Sequence, residues 1–308
     1  MKTLTARFVL PLALLTGAAH GWADAGEYRV TNLPSLGGTV SRGNSLNDRG
    51  WVAGYSNLTG DQNRHAALWL AGTVFDLGTL GGPNSSVAWP VKNDRGVIVG
   101  IAQTATPDPL GESWSCAAFF PAATATGRIC RGFVWERGAM RALPTLGGNN
   151  GFAAGANNRG QMIGWAENTV HDPTCVPPQV LQFRAVLWGP GGHSVRELPP
   201  LPGDTSGAAT AINDRGQVVG ISGTCDQAVG RFTAAHAVLW EGDTVTDIGN
   251  LGGATWNTPM AINERGDVVG FASQPGDDPD NPQLGEITGR AFDPATGERP
   301  AFLATPAD

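Results

Sequence analysis

The sequence predicts an all-β fold, a five-bladed β-propeller with four-stranded blades closed by the N-terminal strand. Three observations predict it: a motif that recurs five times, a composition rich in turn formers, and chain ends out of phase with the repeat. The motif is Asn-[Asp/Asn/Glu]-Arg-Gly, at Asn47–Gly50, Asn93–Gly96, Asn157–Gly160, Asn213–Gly216 and Asn263–Gly266. A short apolar run closing on glycine follows each copy, at Trp51–Gly54, Val97–Gly100, Gln161–Gly164, Gln217–Gly220 and Asp267–Gly270. The first asparagines lie 46, 64, 56 and 50 residues apart (93−47, 157−93, 213−157, 263−213). Such a period marks propellers and other repeat arrays.

Composition agrees with short strands and tight corners. Only 15% of the 308 residues are charged, whereas 44 are glycine and 22 proline, and no apolar pattern of period 3.6 follows the first 25 residues. The fourth unit shows the grammar of one blade. Ala208–Ile212 is a first strand of small and apolar residues, Asn213–Gly216 turns the chain, and Gln217–Ser222 is the second strand. His236–Trp240 is the third, and Glu241–Asp243 leads into Thr244–Ile248, the fourth. Asn, Asp and Gly supply the backbone angles that hairpin turns require, and four antiparallel strands make one propeller blade. The blades are expected near 39–80, 83–146, 149–201, 204–251 and 254–293, in a single domain spanning 26–308.

Small first strands fit a crowded axis, as at Ala153, Ala154, Gly155, Ala156, Ala208, Ala209 and Ala211, whereas Trp69, Trp135, Trp188 and Trp240 end third strands, where blades diverge and bulk fills the gap. These four tryptophans are assigned to packing. Between blades come Leu-Gly-Gly corners at Leu36–Gly38, Leu80–Gly82, Leu146–Gly148 and Leu251–Gly253, replaced in the fourth unit by Leu201–Asp204. The chain opens with Tyr28–Leu33 before the first such corner, a fourth strand lacking its blade, and ends with Arg290–Phe292, a third strand lacking its tryptophan. The segment 28–36 is therefore expected to complete the last blade, removing an open sheet edge; Ala301–Leu303 is the competing outer strand.

The repeat resembles that of the HAF-repeat extracellular proteins, whose pattern runs A-x-x-IN-x-x-G-x-VVG, then HAFLW, then DLGTLGG. The corresponding elements are Ala211–Asn213 with Gly216–Gly220, His65–Trp69, and Asp76–Gly82, and the likeness covers about residues 28–293. The resemblance implies an exported β-repeat protein. It carries no established activity and supplies no catalytic residue.

Residues 1–25 read as an export signal, with Lys2 and Arg7, an apolar run Phe8–Ala19, and small residues at Ala23 and Ala25 for cleavage. The expected location is secreted or periplasmic. Removing Lys2, Arg7 and Asp24 takes the formal charge from −7 to −8 and leaves Lys92 as the only lysine. A mildly acidic surface without an arginine stripe argues against nucleic acid, the apolar run is too short to span a bilayer, and a monomer is expected. Four cysteines, Cys116, Cys130, Cys175 and Cys225, remain after export, an even number that favours disulfides. Three pairings are open, and Cys116–Cys130 with Cys175–Cys225 is the preferred one.

Loops between second and third strands, at 55–64, 101–130, 165–183, 221–235 and 271–289, hold nearly all the length variation and all four cysteines. They nominate one face for binding. The ligand candidates are Trp89 and Trp256, in or just before first strands, Trp114 and Trp165 in the variable loops, and Asp204 on its corner. The loop acids Asp277, Asp278, Asp280 and Glu286 are weak candidates for Ca2+, because the segment lacks the glycine and final glutamate of an EF-hand. The basic residues opening the third strands, His65, Arg131, Arg184, His236 and Arg290, are assigned to blade contacts, with Asp76 and Asp247 as suggested partners. No cofactor is expected.

A five-bladed glycosidase would need two carboxylates projecting from inner strands, yet the five first strands contain no Asp or Glu, and Lys92 is their only charge. No Gly-x-Ser-x-Gly occurs, and His171 and His193 have no recognisable partner. The expected function is a binding or interaction module with a glycan or protein ligand; a propeller glycosidase and a purely structural or adhesive protein are the alternatives.

Overall fold

The computed structural model describes residues 32–90, 93–112, 114–227, 229–280 and 303–304. Residues 1–31, on which the expected export signal falls, lie outside the described residues, as do Lys92, Glu286 and Arg290–Phe292. The chain is all-β. Its first sheet comprises β1 (Gly37–Leu46), β2 (Val52–Leu58), β3 (Arg64–Leu70) and β4 (Thr73–Asp76). The second is β5 (Gly81–Ser86), β6 (Ile98–Pro107), β7 (Arg128–Glu136) and β8 (Ala139–Ala142). The third is β9 (Gly151–Ala156), β10 (Met162–His171), β11 (Leu181–Trp188) and β12 (Val195–Glu197), and the fourth is β13 (Ser206–Ile212), β14 (Val218–Gly223), β15 (His236–Glu241) and β16 (Thr244–Asp247). The fifth holds three strands, β17 (Thr258–Ile262), β18 (Val268–Phe271) and β19 (Leu303–Ala304). Within every sheet the strands follow chain order and pair antiparallel.

The recurrent asparagine earns its place in the turn. Its Oδ1 accepts the backbone N–H groups two and four residues ahead in all five copies, for example Arg215 N at 3.1 Å and Gln217 N at 3.0 Å for Asn213. That bond pattern is the local turn chemistry Asn favours, and the motif glycine, such as Gly216 at φ +87°, completes it. The glycine closing each second strand has a separate cause. A Cβ at Gly54, Gly100, Gly164, Gly220 or Gly270 would run into the carbonyl oxygen of Arg42, Ser86, Phe152, Ala208 or Thr258 on the adjoining first strand. In the first, third, fourth and fifth sheets the register shifts there, so a bulge brings the two backbones together.

Sheets stack through their first strands: β5 packs against β3, β9 against β6 and β7, β13 against β10 and β11, and β17 against β14 and β15. The interior is built from small residues of β9 and β13 against large ones of β10, β11, β14 and β15, including Ile163, Trp165, Phe183 and Trp240. The array ends differ from its middle. β1 is exposed along most of its length, and Val269 of β18 is 41% exposed where its counterpart Val219 is fully buried. Turn-to-turn bonds run along the array: Asp48 N donates to Asp94 Oδ1, Asp94 N to Asn158 Oδ1, Asn158 N to Asp214 Oδ1 and Asp214 N to Glu264 Oε1, at 2.6–2.9 Å.

Several sequence expectations are corrected. β1 contains Arg42, so Lys92 is not the only charge among first strands. The third-strand place in the fifth sheet is taken by Leu303–Ala304, with Ala304 opposite Val268 as Trp240 is opposite Val218. The expectation for Arg290–Phe292 itself lies outside the described residues. Second strands extend further than expected, which puts Trp165 inside β10, and Cys130 belongs to β7 rather than to a loop. A short helix, α1 (Trp114–Phe119), occupies the longest insertion.

Candidate apolar cavity and the carboxyl pair behind its wall

The first strands of the third and fourth sheets and the entry to the fifth converge on one cavity of about 550 Å3. Trp89, Trp165 and Trp256 all line it, together with Phe119, Phe152 and Phe271. Trp89 follows β5 by three residues, Trp165 lies on β10, and Trp256 lies two residues before β17. Trp165 is fully supported from behind by Phe183, ring centroids 5.3 Å apart. Trp256 is oriented by its indole N–H, which donates to Pro279 O at 2.9 Å. The only polar side chains on the described lining, the indoles aside, are Thr210, Gln227 and Thr258. Thr210 is already engaged, its hydroxyl donating to Pro259 O at 2.5 Å.

One wall is α1, through Ala117, Ala118 and Phe119. Six residues do not make a stable helix alone, and four external ties hold this one. The Cys116–Cys130 disulfide, Cα atoms 6.2 Å apart, fixes it to β7. Phe119 stacks on Phe152 at 5.1 Å. Arg64, from β3, donates from Nη1 to Phe119 O at 2.7 Å while its guanidinium lies over Tyr55. Finally, Glu112, two residues ahead of α1, accepts the backbone N–H groups of Val180 and Leu181 at 2.9 and 2.5 Å. The second disulfide, Cys175–Cys225, joins the long loops of the third and fourth sheets, with Cα atoms 4.5 Å apart.

Behind this wall lies a feature the sequence reading missed. Glu112 and Glu167 are each 1% exposed, and the side-chain amide of Gln179 touches both, 3.2 Å from Glu112 Oε1 and 2.9 Å from Glu167 Oε1. Glu167 Oε2 also accepts from Asn149 N and Asn150 N, at 3.1 and 2.7 Å. Burial, then the neighbouring Glu112, pushes the Glu167 carboxyl up to about 7. Burial also raises Glu112, against the hydrogen bonds from Leu181 and Val180. The available signal was alternation along β10: Ile163, Trp165 and Glu167 share one face, so a core face ends in an acid.

The remaining candidates fall elsewhere. Trp114 opens α1. Asp204 does not reach the cavity; its Oδ2 lies 3.0 Å from His236 Nδ1 and accepts from Ser222 Oγ at 2.6 Å, which makes it a contact within the fourth sheet. His236 thus pairs with Asp204 rather than Asp247, while His65 does meet Asp76, at 2.8 Å. Asp277 accepts from Gln274 N, Asp278 from Asp280 N, and Asp280 pairs with Arg231 at 3.2 Å. Among the described residues, no group of three or more His, Cys, Asp or Glu side chains is placed to hold a metal ion. No described helix is long and apolar enough to cross a membrane. No family model matches the chain, and no curated protein matches it.

Proposed function

We propose that the chain is an exported recognition module of the HAF-repeat kind, a five-bladed propeller that grips an apolar part of a protein ligand in its axial cavity. One observation carries this reading: three tryptophans far apart in sequence line a single cavity whose described lining bears no charged side chain. Its volume falls in the range of ligand pockets. A glycan is the weaker of the two expected ligands, because hydroxyls entering an aromatic chamber would lose water and find few replacements. Hydrolysis is weaker still. No carboxylate stands on the described lining, and Glu112 and Glu167 are too enclosed for a sugar to reach.

Two disulfides support export to an oxidising compartment. Ring closure by the segment 28–36 belongs to the same proposal, and the exposed face of β1 gives it a reason, since every other first strand is covered by the sheet before it.

A peptide library and a glycan array, run in parallel on the mature chain, test the ligand. Apolar peptides that bind the wild type and are lost on Trp89→Ala or Trp256→Ala, with circular dichroism unchanged, support the proposal. Hits confined to glycans, or indifferent to both substitutions, overturn it.

A further inference from the structure

We propose that Glu112 and Glu167 form a proton-operated latch on the α1 wall of the axial cavity, releasing the wall when both carboxyls are ionised. The inference rests on the cavity being the ligand site, and it adds a control to that site.

The geometry places the pair at the junction of two wall segments. Glu112 belongs to the stretch leading into α1, and Gln179 adjoins Pro178, which itself lines the cavity. The contacts from Glu112 to Val180 N, Leu181 N and Gln179 Nε2 are therefore what holds the two segments together. Glu112 Oε2 is buried without a partner among the described residues, so the donors on Oε1 are all that the described residues offer a charge on Glu112.

Among the described residues, three further charged or titratable groups act on the pair. Asp108, on the same insertion, adds repulsion to Glu112, and His171, at the end of β10, offsets it. Arg131, on β7, faces Glu167. With one proton aboard, the pair carries a single charge opposite Arg131. With none, two like charges are buried together with Asp108 nearby. The proton leaves to solvent, and the cheapest relief is withdrawal of Glu112 from Val180 and Leu181. α1 remains tethered at Cys116–Cys130 and at Phe119 O, so the wall shifts without unfolding. The titration of Glu167 near 7 puts that change in the neutral range.

Two readouts test this. The first is hydrogen exchange at the amides of Val180 and Leu181, corrected for intrinsic rate, at about pH 6 and about pH 8. Protection should fall by roughly tenfold between the two in wild type and hold steady in Glu167→Gln and in Glu112→Gln, both of which keep shape and remove the repulsion. Equal protection at both pH values in wild type overturns the latch, as does an equal fall in the two variants. The second is phenylnaphthylamine, a neutral apolar fluorophore, titrated into the same proteins. Its affinity should weaken by roughly fivefold or more from the lower to the higher pH in wild type only. Failure of the fluorophore to bind at any pH would instead count against the cavity as a ligand site, while the amide measurement still decides the latch.

Discussion

The indole Nε1 of Trp240 donates to the carbonyl oxygen of Pro199 at 2.7 Å, tying the third strand of the fourth sheet to the segment arriving from the third. Trp69 makes the same bond to Pro34 and Trp188 to Pro144, at 2.7 and 2.8 Å. The ring fills the gap between sheets, and its one polar atom fastens the incoming chain. Replacing Trp240 by Phe removes the donor and part of the fill. Stability in urea should drop by about 1–3 kcal/mol, and by less for Trp135→Phe, whose ring is only half-buried.

Asp214 accepts twice from the preceding turn, from Asn158 N at 2.6 Å and Asn158 Nδ2 at 2.9 Å. Asp214→Ala leaves both donors short of a partner. A loss of about 1–2 kcal/mol is expected by chemical denaturation, whereas Asp214→Asn, which keeps an acceptor oxygen, should recover most of it. Equal losses in the two variants would show that charge, not hydrogen bonding, joins the turns.

The two disulfides close chain segments of 14 and 50 residues. On loop-closure grounds their removal costs about 3 and about 4 kcal/mol respectively. Melting of Cys116→Ser/Cys130→Ser and Cys175→Ser/Cys225→Ser double variants should therefore show the larger drop for the second pair. The first pair should have the larger effect on apolar-ligand binding, since it anchors α1.

Global stability should fall with rising pH across the neutral range. The folded Glu167 carboxyl sits above its ordinary value of 4.5, near 7, so the native state holds a proton that the unfolded chain releases. Stability is therefore lost from about pH 4.5 to about 7 and levels off above that. Asp172 acts in the opposite sense. Burial raises it, but hydrogen bonds from Thr174 and Gln182 outweigh burial and leave it lowered, so its contribution disappears as pH falls through the acid range. Unfolding free energies across this range should peak in mild acid, and Glu167→Gln should flatten the neutral limb alone.

Much of the fold was legible because each repeated residue answers a local demand. Asn213 marks a turn by its own side-chain bonds, and Gly220 marks a backbone crossing that admits no Cβ. Trp89 and Trp256 could be singled out by type and place. Glu167 escaped notice because alternation along β10 shows only that a core face ends in an acid; the surroundings that bury it come from Gln179 and Glu112, on two other segments. The contacts of Asp204 were hidden for a related reason, since its partners Ser222 and His236 come from two later strands of the fourth sheet.

The bonds passed from Asp48 through Asp94, Asn158 and Asp214 to Glu264 have a bearing on how such a chain can lengthen. Each of the three inner turns both gives and receives, so a duplicated unit spliced between any two others would find a donor on one side and an acceptor on the other. Nothing in the link itself counts to five. The limit on copy number must then come from the angle between fans and from whatever satisfies the outermost two.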